Sequence, residues 1–189
     1  RRADLVVQGR QVAEALLDVG GGPFHLLGHS ASGLVAMEAA RVLGDQASSV
    51  ILLDTVRASS ALQLAKHPLH RLRRWFQPTA DDRTERADAR AALDALHRGD
   101  DTDPHVLRVV RDLQDERGFL RLRGRPYDGR THLLAAEDSR AALGPDLGWA
   151  RWCRDLQTHD LPSDHFGILL PPHVDETVAA LAQILHDRP

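Results

Sequence analysis

A short segment near the N-terminus, Leu26 to Gly33, restricts the possible folds more than any other part of the chain. Two leucines are followed there by the run Gly28-His29-Ser30-Ala31-Ser32-Gly33. Apolar residues then recur at helical spacing until a glycine ends the pattern. The segment predicts a strand from Pro23 to Leu27, a tight turn from Gly28 to Ser32 and a helix from Gly33 to Leu43.

The rest of the chain continues this alternation of strands and helices. A continuous apolar run from Ser49 to Leu53 is typical of a parallel strand that is buried on both faces. Two more strands are predicted at Thr131 to Ala136 and at Leu156 to Leu161, with helices at Arg2 to Val19 and at Pro172 to His186. We therefore predict an α/β fold with a mostly parallel sheet.

One long stretch, Val56 to Arg123, interrupts the alternation. It is charged, rich in arginine and poor in strand signals, and it lies between two predicted strands. An insertion at that point follows the carboxyl end of a strand, where lids over active sites are commonly placed. We expect a helical lid.

Composition excludes several classes of protein. The formal net charge of −3 gives no reason to expect a nucleic acid or an anionic membrane as partner. No apolar run approaches the ~20 residues that a membrane-spanning helix needs. Cys153 is the single cysteine, so an internal disulfide is impossible and a reducing, cytoplasmic location is expected.

Ser30 is the candidate nucleophile. A serine on a tight strand-to-helix turn is raised above the sheet, and the backbone N–H of Ala31 then points to where an oxyanion would form. The usual pattern is G-x-S-x-G, whereas Ser32 stands here in place of the second glycine. The alternative interpretation is an ordinary junction in which a serine caps a helix.

A serine nucleophile needs a base and an acid, which follow it in the order acid, then histidine, in this type of fold. His165 lies in a loop after the last predicted strand and is the candidate base. Two acids are possible: Asp54 ends the strand after the turn helix, and Asp138 follows the strand that ends at Ala136. The residues by themselves leave the two acids open.

Several segments together resemble the terminal thioesterase domains of nonribosomal peptide and polyketide synthases, which are α/β-hydrolases. They are Gly22 to Ser30 with Leu34 to Ala40, Val50 to Thr55, Pro126 to Leu134, Gly148-Trp149, and Asp164-His165-Phe166. The resemblance covers nearly the whole chain in the right order. It favours Asp54 over Asp138, because that family keeps its acid after the strand that follows the turn helix.

The resemblance also implies a reaction and a partner. A serine takes an acyl or peptidyl chain from the phosphopantetheine arm of a carrier protein, and water or a group of the same chain releases it, the latter as a macrocycle. No dissociable cofactor and no metal are expected. The family has earlier strands, and a loop among them supplies a second oxyanion donor. We therefore expect residues 1–189 to form one thioesterase domain that lacks its N-terminal strands.

Three other interpretations remain. A free-standing serine esterase and a type II, proofreading thioesterase share the turn around Ser30, although the latter tends to place its acid later in the chain. A degenerate α/β-hydrolase domain that only binds ligands is the third. Activity on an acyl-carrier thioester separates the first from a terminal thioesterase, and labelling by a fluorophosphonate probe separates the last.

Overall fold

The computed structural model describes residues 5–57 and 126–186. Apart from Val56 and Arg57, the expected lid lies outside the described residues. The described residues form a four-stranded sheet with helices on both faces. None of the helices in these two ranges is long and apolar enough to cross a membrane.

The sheet contains four parallel strands in the order of the sequence. They are β1 (Phe24–His29), β2 (Ala47–Leu53), β3 (Tyr127–Ala136) and β4 (Cys153–Leu161). Their carboxyl ends therefore share one edge of the sheet, and the predicted α/β fold is confirmed. β3 begins at Tyr127 rather than at Thr131, because its first residues pair with β4 although they lack the apolar pattern of a buried strand.

Four helices lie within the described residues. They are α1 (Leu5–Val19), α2 (Ala31–Leu43), α3 (Glu137–Leu143) and α4 (Val174–His186), with short 3-10 turns at Gly44–Gln46 and Gly167–Leu169. The sequence did not predict α3, because seven residues with a charged first turn carry too little apolar periodicity. α1, α2 and α4 match predicted helices.

The helices bury a separate core on each face of the sheet. α1 and α2 pack together on one face, around Leu34, Met37 and Leu52. Gly9 permits this packing, because a Cβ atom there would lie 2.5 Å from the Cβ atom of Glu38. On the other face, Ile51, Leu134 and the residues that α4 contributes form a smaller core. Both faces of the sheet are thus covered by helices.

Candidate active site

The turn that carries Ser30 is tighter than the sequence predicted. β1 continues through Gly28 and His29, and α2 begins at Ala31, so Ser30 alone joins the two elements. Its φ of 54° and ψ of −126° place it in a region that residues with a side chain rarely adopt. Its backbone N–H donates to the carbonyl of Leu53 at 3.0 Å. This strained conformation presents the hydroxyl at the carboxyl edge of the sheet.

Two glycines make this turn possible. A Cβ atom at Gly28 would lie 2.5 Å from the backbone nitrogen of Gly33, and one at Gly33 would lie 2.8 Å from the Cβ atom of Thr55. Ser32, by contrast, is exposed, and its hydroxyl donates to the carbonyl of His29 at 2.7 Å. The departure from G-x-S-x-G is therefore harmless, since the close approach falls one residue later.

Asp54 is the first residue after β2 and is completely buried. Its φ of 42° turns the chain away from the sheet. Its backbone N–H donates to the carbonyl of Leu134 at 2.7 Å, which ties the end of β2 to β3. The carboxylate is thereby held beneath the edge that carries Ser30.

Ser30, His165 and Asp54 lie in one line of hydrogen bonds. Ser30 Oγ is 3.1 Å from His165 Nε2, and His165 Nδ1 is 2.6 Å from Asp54 Oδ2. A carboxylate can only accept, so Nδ1 carries the proton and donates to Asp54. Nε2 is then free of its proton and accepts from the hydroxyl of Ser30. This is the tautomer that a general base requires.

The Asp54 carboxylate receives two further hydrogen bonds. Burial by itself would raise its pKa, but hydrogen bonds from His165, from the Ser139 hydroxyl and from the Ala136 N–H outweigh burial and lower the pKa. Ser139 Oγ lies 2.6 Å from Oδ2, and Ala136 N lies 2.9 Å from Oδ1. Asp54 is therefore a carboxylate at neutral pH, with hydrogen-bond donors on both of its oxygens.

The alternative acid, Asp138, does not reach this line. It lies exposed in the first turn of α3, while its neighbour Ser139 is buried and contacts Asp54. The start of α3, directly after β3, thus contributes a hydrogen-bond donor, Ser139, to the Asp54 carboxylate and not a second acid.

Hydrogen bonds to the Asp164 carboxylate and from the start of α3 hold the loop that carries His165. Asp164 Oδ1 accepts from the N–H groups of Gly167 and Phe166, at 2.7 and 2.9 Å. These two hydrogen bonds, that of Gly167 foremost, lower the pKa of the exposed Asp164. The N–H of Glu137 donates to the carbonyl of Ser163 at 2.9 Å. The backbone on both sides of His165 is therefore fixed.

Ala31 begins α2 directly after Ser30. The N–H groups in the first turn of a helix have no acceptor within that helix, and they carry its positive end. The N–H of Ala31 is thus available beside the Ser30 hydroxyl. Within residues 5–57 and 126–186, no group of histidine, cysteine and acidic side chains is arranged to hold a metal ion.

Sequence reasoning missed Ser139 and His29. Ser139 stands directly after Asp138, whose charge is the more obvious feature of that strand end. His29 occupies a variable position of the pattern around the serine, so the pattern says nothing about it. Its Nε2 lies 3.0 Å from the backbone carbonyl of His165, and the two rings stack with centroids 4.8 Å apart.

A parallel sheet with Ser30, His165 and Asp54 at its carboxyl edge has the architecture of the α/β-hydrolase class. The family described as thioesterase domain matches residues 10–185, so this chain belongs to the thioesterase domain family. Members of that family are hydrolases. No curated protein matches the chain.

Solved structures with this fold include several thioesterase domains. The NocB thioesterase domain, in a covalent complex with a fluorophosphonate nocardicin G analogue, is 25% identical with a TM-score of 0.65; the match covers 98% of this chain and 76% of that one. RedJ, a thioesterase of the prodiginine pathway in Streptomyces coelicolor, is 20% identical with a TM-score of 0.58, covering 95% and 71%. The four-domain nonribosomal peptide synthetase AB3403 is 22% identical with a TM-score of 0.62; the match covers this whole chain and 16% of that one.

Proposed function

We propose that this domain releases an acyl or peptidyl chain from the phosphopantetheine thioester of a carrier protein, with Ser30 as nucleophile, His165 as general base and Asp54 as the acid that orients His165. The observation that carries the proposal is the hydrogen-bonded line from Ser30 through His165 to a buried carboxylate. Geometry of this kind activates an alcohol that is otherwise a poor nucleophile at neutral pH.

The first step acylates the serine. His165 Nε2 takes the proton of Ser30 as Oγ attacks the thioester carbonyl, and Asp54 stabilises the imidazolium that forms. The N–H of Ala31 donates to the oxygen that becomes negative. When the C–S bond breaks, His165 returns the proton to the departing thiol, and an ester on Ser30 remains.

The second step reverses these roles. His165 takes a proton from water, or from an amine or hydroxyl of the bound chain, as that group attacks the ester carbonyl. The C–O bond to Ser30 breaks, and His165 returns the proton to Oγ. Water yields a free acid, and an internal nucleophile yields a ring. Each transfer uses side chains of this domain, so no dissociable cofactor is required.

The carrier protein is proposed from the relatives. NocB and RedJ are named as thioesterases, and AB3403 is a nonribosomal peptide synthetase in which the matched part is one portion of a multidomain chain. In such systems the phosphopantetheine is brought by the partner and leaves with it as a thiol. The substrate of this domain would thus be presented on a second protein domain.

The experiment compares Ser30→Ala with Ser48→Ala on an acyl N-acetylcysteamine thioester and with a fluorophosphonate probe. Loss of the nucleophile should reduce kcat by ~10⁴-fold or more and abolish labelling. Ser48 is a half-buried serine at the amino end of β2, away from the edge that carries Ser30, so its variant is the matched control and should be labelled like the unaltered protein. Undiminished turnover by Ser30→Ala would refute the proposal.

A second arm separates a carrier-dependent thioesterase from a general esterase. The same acyl group is supplied on a phosphopantetheinylated carrier domain, as the N-acetylcysteamine thioester and as an oxygen ester. A terminal thioesterase should have its highest kcat/KM with the carrier-bound thioester. Equal values for the carrier-bound thioester and the oxygen ester would identify a free-standing esterase instead.

A further inference from the structure

His29 is a half-buried histidine at the end of β1, immediately before Ser30. Its Nε2 lies 3.0 Å from the backbone carbonyl oxygen of His165. A carbonyl oxygen can only accept a hydrogen bond, so Nε2 of His29 carries a proton and is the hydrogen-bond donor. One side chain thus joins the residue before the nucleophile to the backbone of the base.

The imidazole of His29 also packs against the imidazole of His165. The two ring centroids are 4.8 Å apart and the ring planes are inclined by 29°. Burial lowers the pKa of His29, against a smaller opposing effect of its hydrogen bond to His165. The ring is therefore neutral at neutral pH, and it offers His165 a flat surface without adding a positive charge beside the imidazolium.

We propose that His29 is a positioning residue that sets the distance between Ser30 and His165, an inference that rests on the proposed catalytic role of those two residues. Ser30 is bonded covalently to His29, and His165 is bound to His29 by a hydrogen bond and a stacked ring. The nucleophile and the base are thereby both attached to the same residue.

Several hydrogen bonds to the backbone of this loop attach it to other parts of the fold. Asp164 closes the turn upon itself, Ser163 accepts from the start of α3, and Thr177 of α4 donates to the carbonyl of Ile168 at 2.7 Å. These contacts shape the loop and attach it to α3 and α4. The bond from His29 comes from the strand that carries Ser30.

The backbone of His29 is itself constrained. Its carbonyl accepts from the hydroxyl of Ser32 at 2.7 Å, within the first turn of α2. The ring therefore projects from a backbone that is held on both sides of Ser30. A side chain in this position can transmit the geometry of the turn to the base through its contacts with His165.

The test compares three variants of the full chain, each checked for the fold of the unaltered protein. His29→Leu removes both the ring and the hydrogen-bond donor, and His29→Phe keeps a ring without the donor. His29→Gln keeps an N–H donor at nearly the same distance from the backbone. His25→Leu is the control, because His25 lies on the same strand and hydrogen-bonds Ser49 away from Ser30. Turnover of the acyl N-acetylcysteamine thioester is measured along with the rate of fluorophosphonate labelling.

We expect His29→Leu and His29→Phe to lower kcat and the labelling rate about tenfold, the value of one ordinary hydrogen bond. KM should stay the same, since the proposed role of His29 is to position His165 and not to bind the substrate. His29→Gln should recover most of the activity, and His25→Leu should resemble the unaltered protein. If His29→Leu does not fold, the comparison of His29→Phe with His29→Gln decides by itself.

Two results would overturn the inference while leaving the proposed function intact. The first is a kcat of His29→Leu within about twofold of that of the unaltered protein, a change smaller than an ordinary hydrogen bond contributes. If the leucine variant does not fold, the kcat of His29→Phe is judged by the same limit. The other is His29→Gln no more active than His29→Phe, which would show that the donor is irrelevant. Ser30→Ala is run in parallel, because only its continued turnover would refute the proposed function itself.

Discussion

Replacement of Asp54 by asparagine is the sharpest test of the proposed catalytic roles. The carboxylate is completely buried and accepts from His165 Nδ1, from the Ser139 hydroxyl and from the Ala136 N–H. Asparagine has the same shape but one oxygen and one NH₂ group. If its oxygen keeps the bond from the Ala136 N–H, the NH₂ group faces His165.

That exchange forces His165 into the wrong tautomer. Nδ1 must then accept, so Nε2 carries the ring proton and cannot take the proton of Ser30. The imidazolium also loses its counter-charge. We expect kcat to fall by about 10³- to 10⁴-fold, which is about 4 to 5.5 kcal/mol of barrier. The hydroxyl of Ser139 can rotate to accept from the new NH₂ group, so the free energy of unfolding should change far less than the barrier.

The assay is turnover of the acyl N-acetylcysteamine thioester together with the rate of fluorophosphonate labelling, on protein whose unfolding midpoint has been measured. Asp138→Asn is the matched control, because Asp138 is exposed on α3 and lies one residue from Ser139. It should retain activity within about twofold, as expected for a surface substitution. A large loss of kcat in Asp138→Asn, together with an unchanged kcat in Asp54→Asn, would refute the assignment of the acid.

Three further outcomes follow from the same site. Asp164→Ala removes the acceptor of two backbone N–H groups beside the base and should lower kcat about three- to tenfold; Asp164→Asn keeps an oxygen there, and an equal loss in both variants would contradict this role. Gly33→Ala brings a Cβ atom against Thr55 and should lower the free energy of unfolding by ~1–3 kcal/mol in urea, whereas an unchanged midpoint would show that the turn can relax. The folded-state pKa of Asp54 lies below its unfolded value, so the stability it contributes is present above the unfolded pKa and is lost as pH falls through the folded one. As pH falls through the unfolded pKa of about 3.8 and below it, Asp54→Asn should therefore show a flatter decline of unfolding free energy than the unaltered protein, and parallel curves would contradict the lowered pKa.

Local patterns determined most of the fold. The period of the apolar residues indicated most strands and helices, because the face of an element that packs on the core must stay apolar along its length. The same argument failed for α3, whose seven residues make too few turns to show a period. It also predicted β3 and β4 too short, because most of the residues that follow their buried first residues, Tyr127 and Cys153, are not buried and show no apolar pattern.

The turn around Ser30 was equally visible in the sequence. Gly28 is demanded by the close approach of β1 to α2, because a Cβ atom there would meet the backbone of Ser32 and Gly33, which are near neighbours in the chain. The position of His165 after the last strand followed from the parallel sheet, because such strands bring their carboxyl ends to one edge.

Only the tertiary structure decided which groups meet at that edge. Asp54 and Asp138 both follow strands that end there, and the residues alone did not distinguish them; burial of one and exposure of the other did. Ser139 and His29 were not anticipated, since their partners lie 85 and 136 residues away along the chain. Hydrogen bonds between such distant residues depend on the register of strands and on the path of loops. Those are set by the packing of the whole sheet, which no local pattern records.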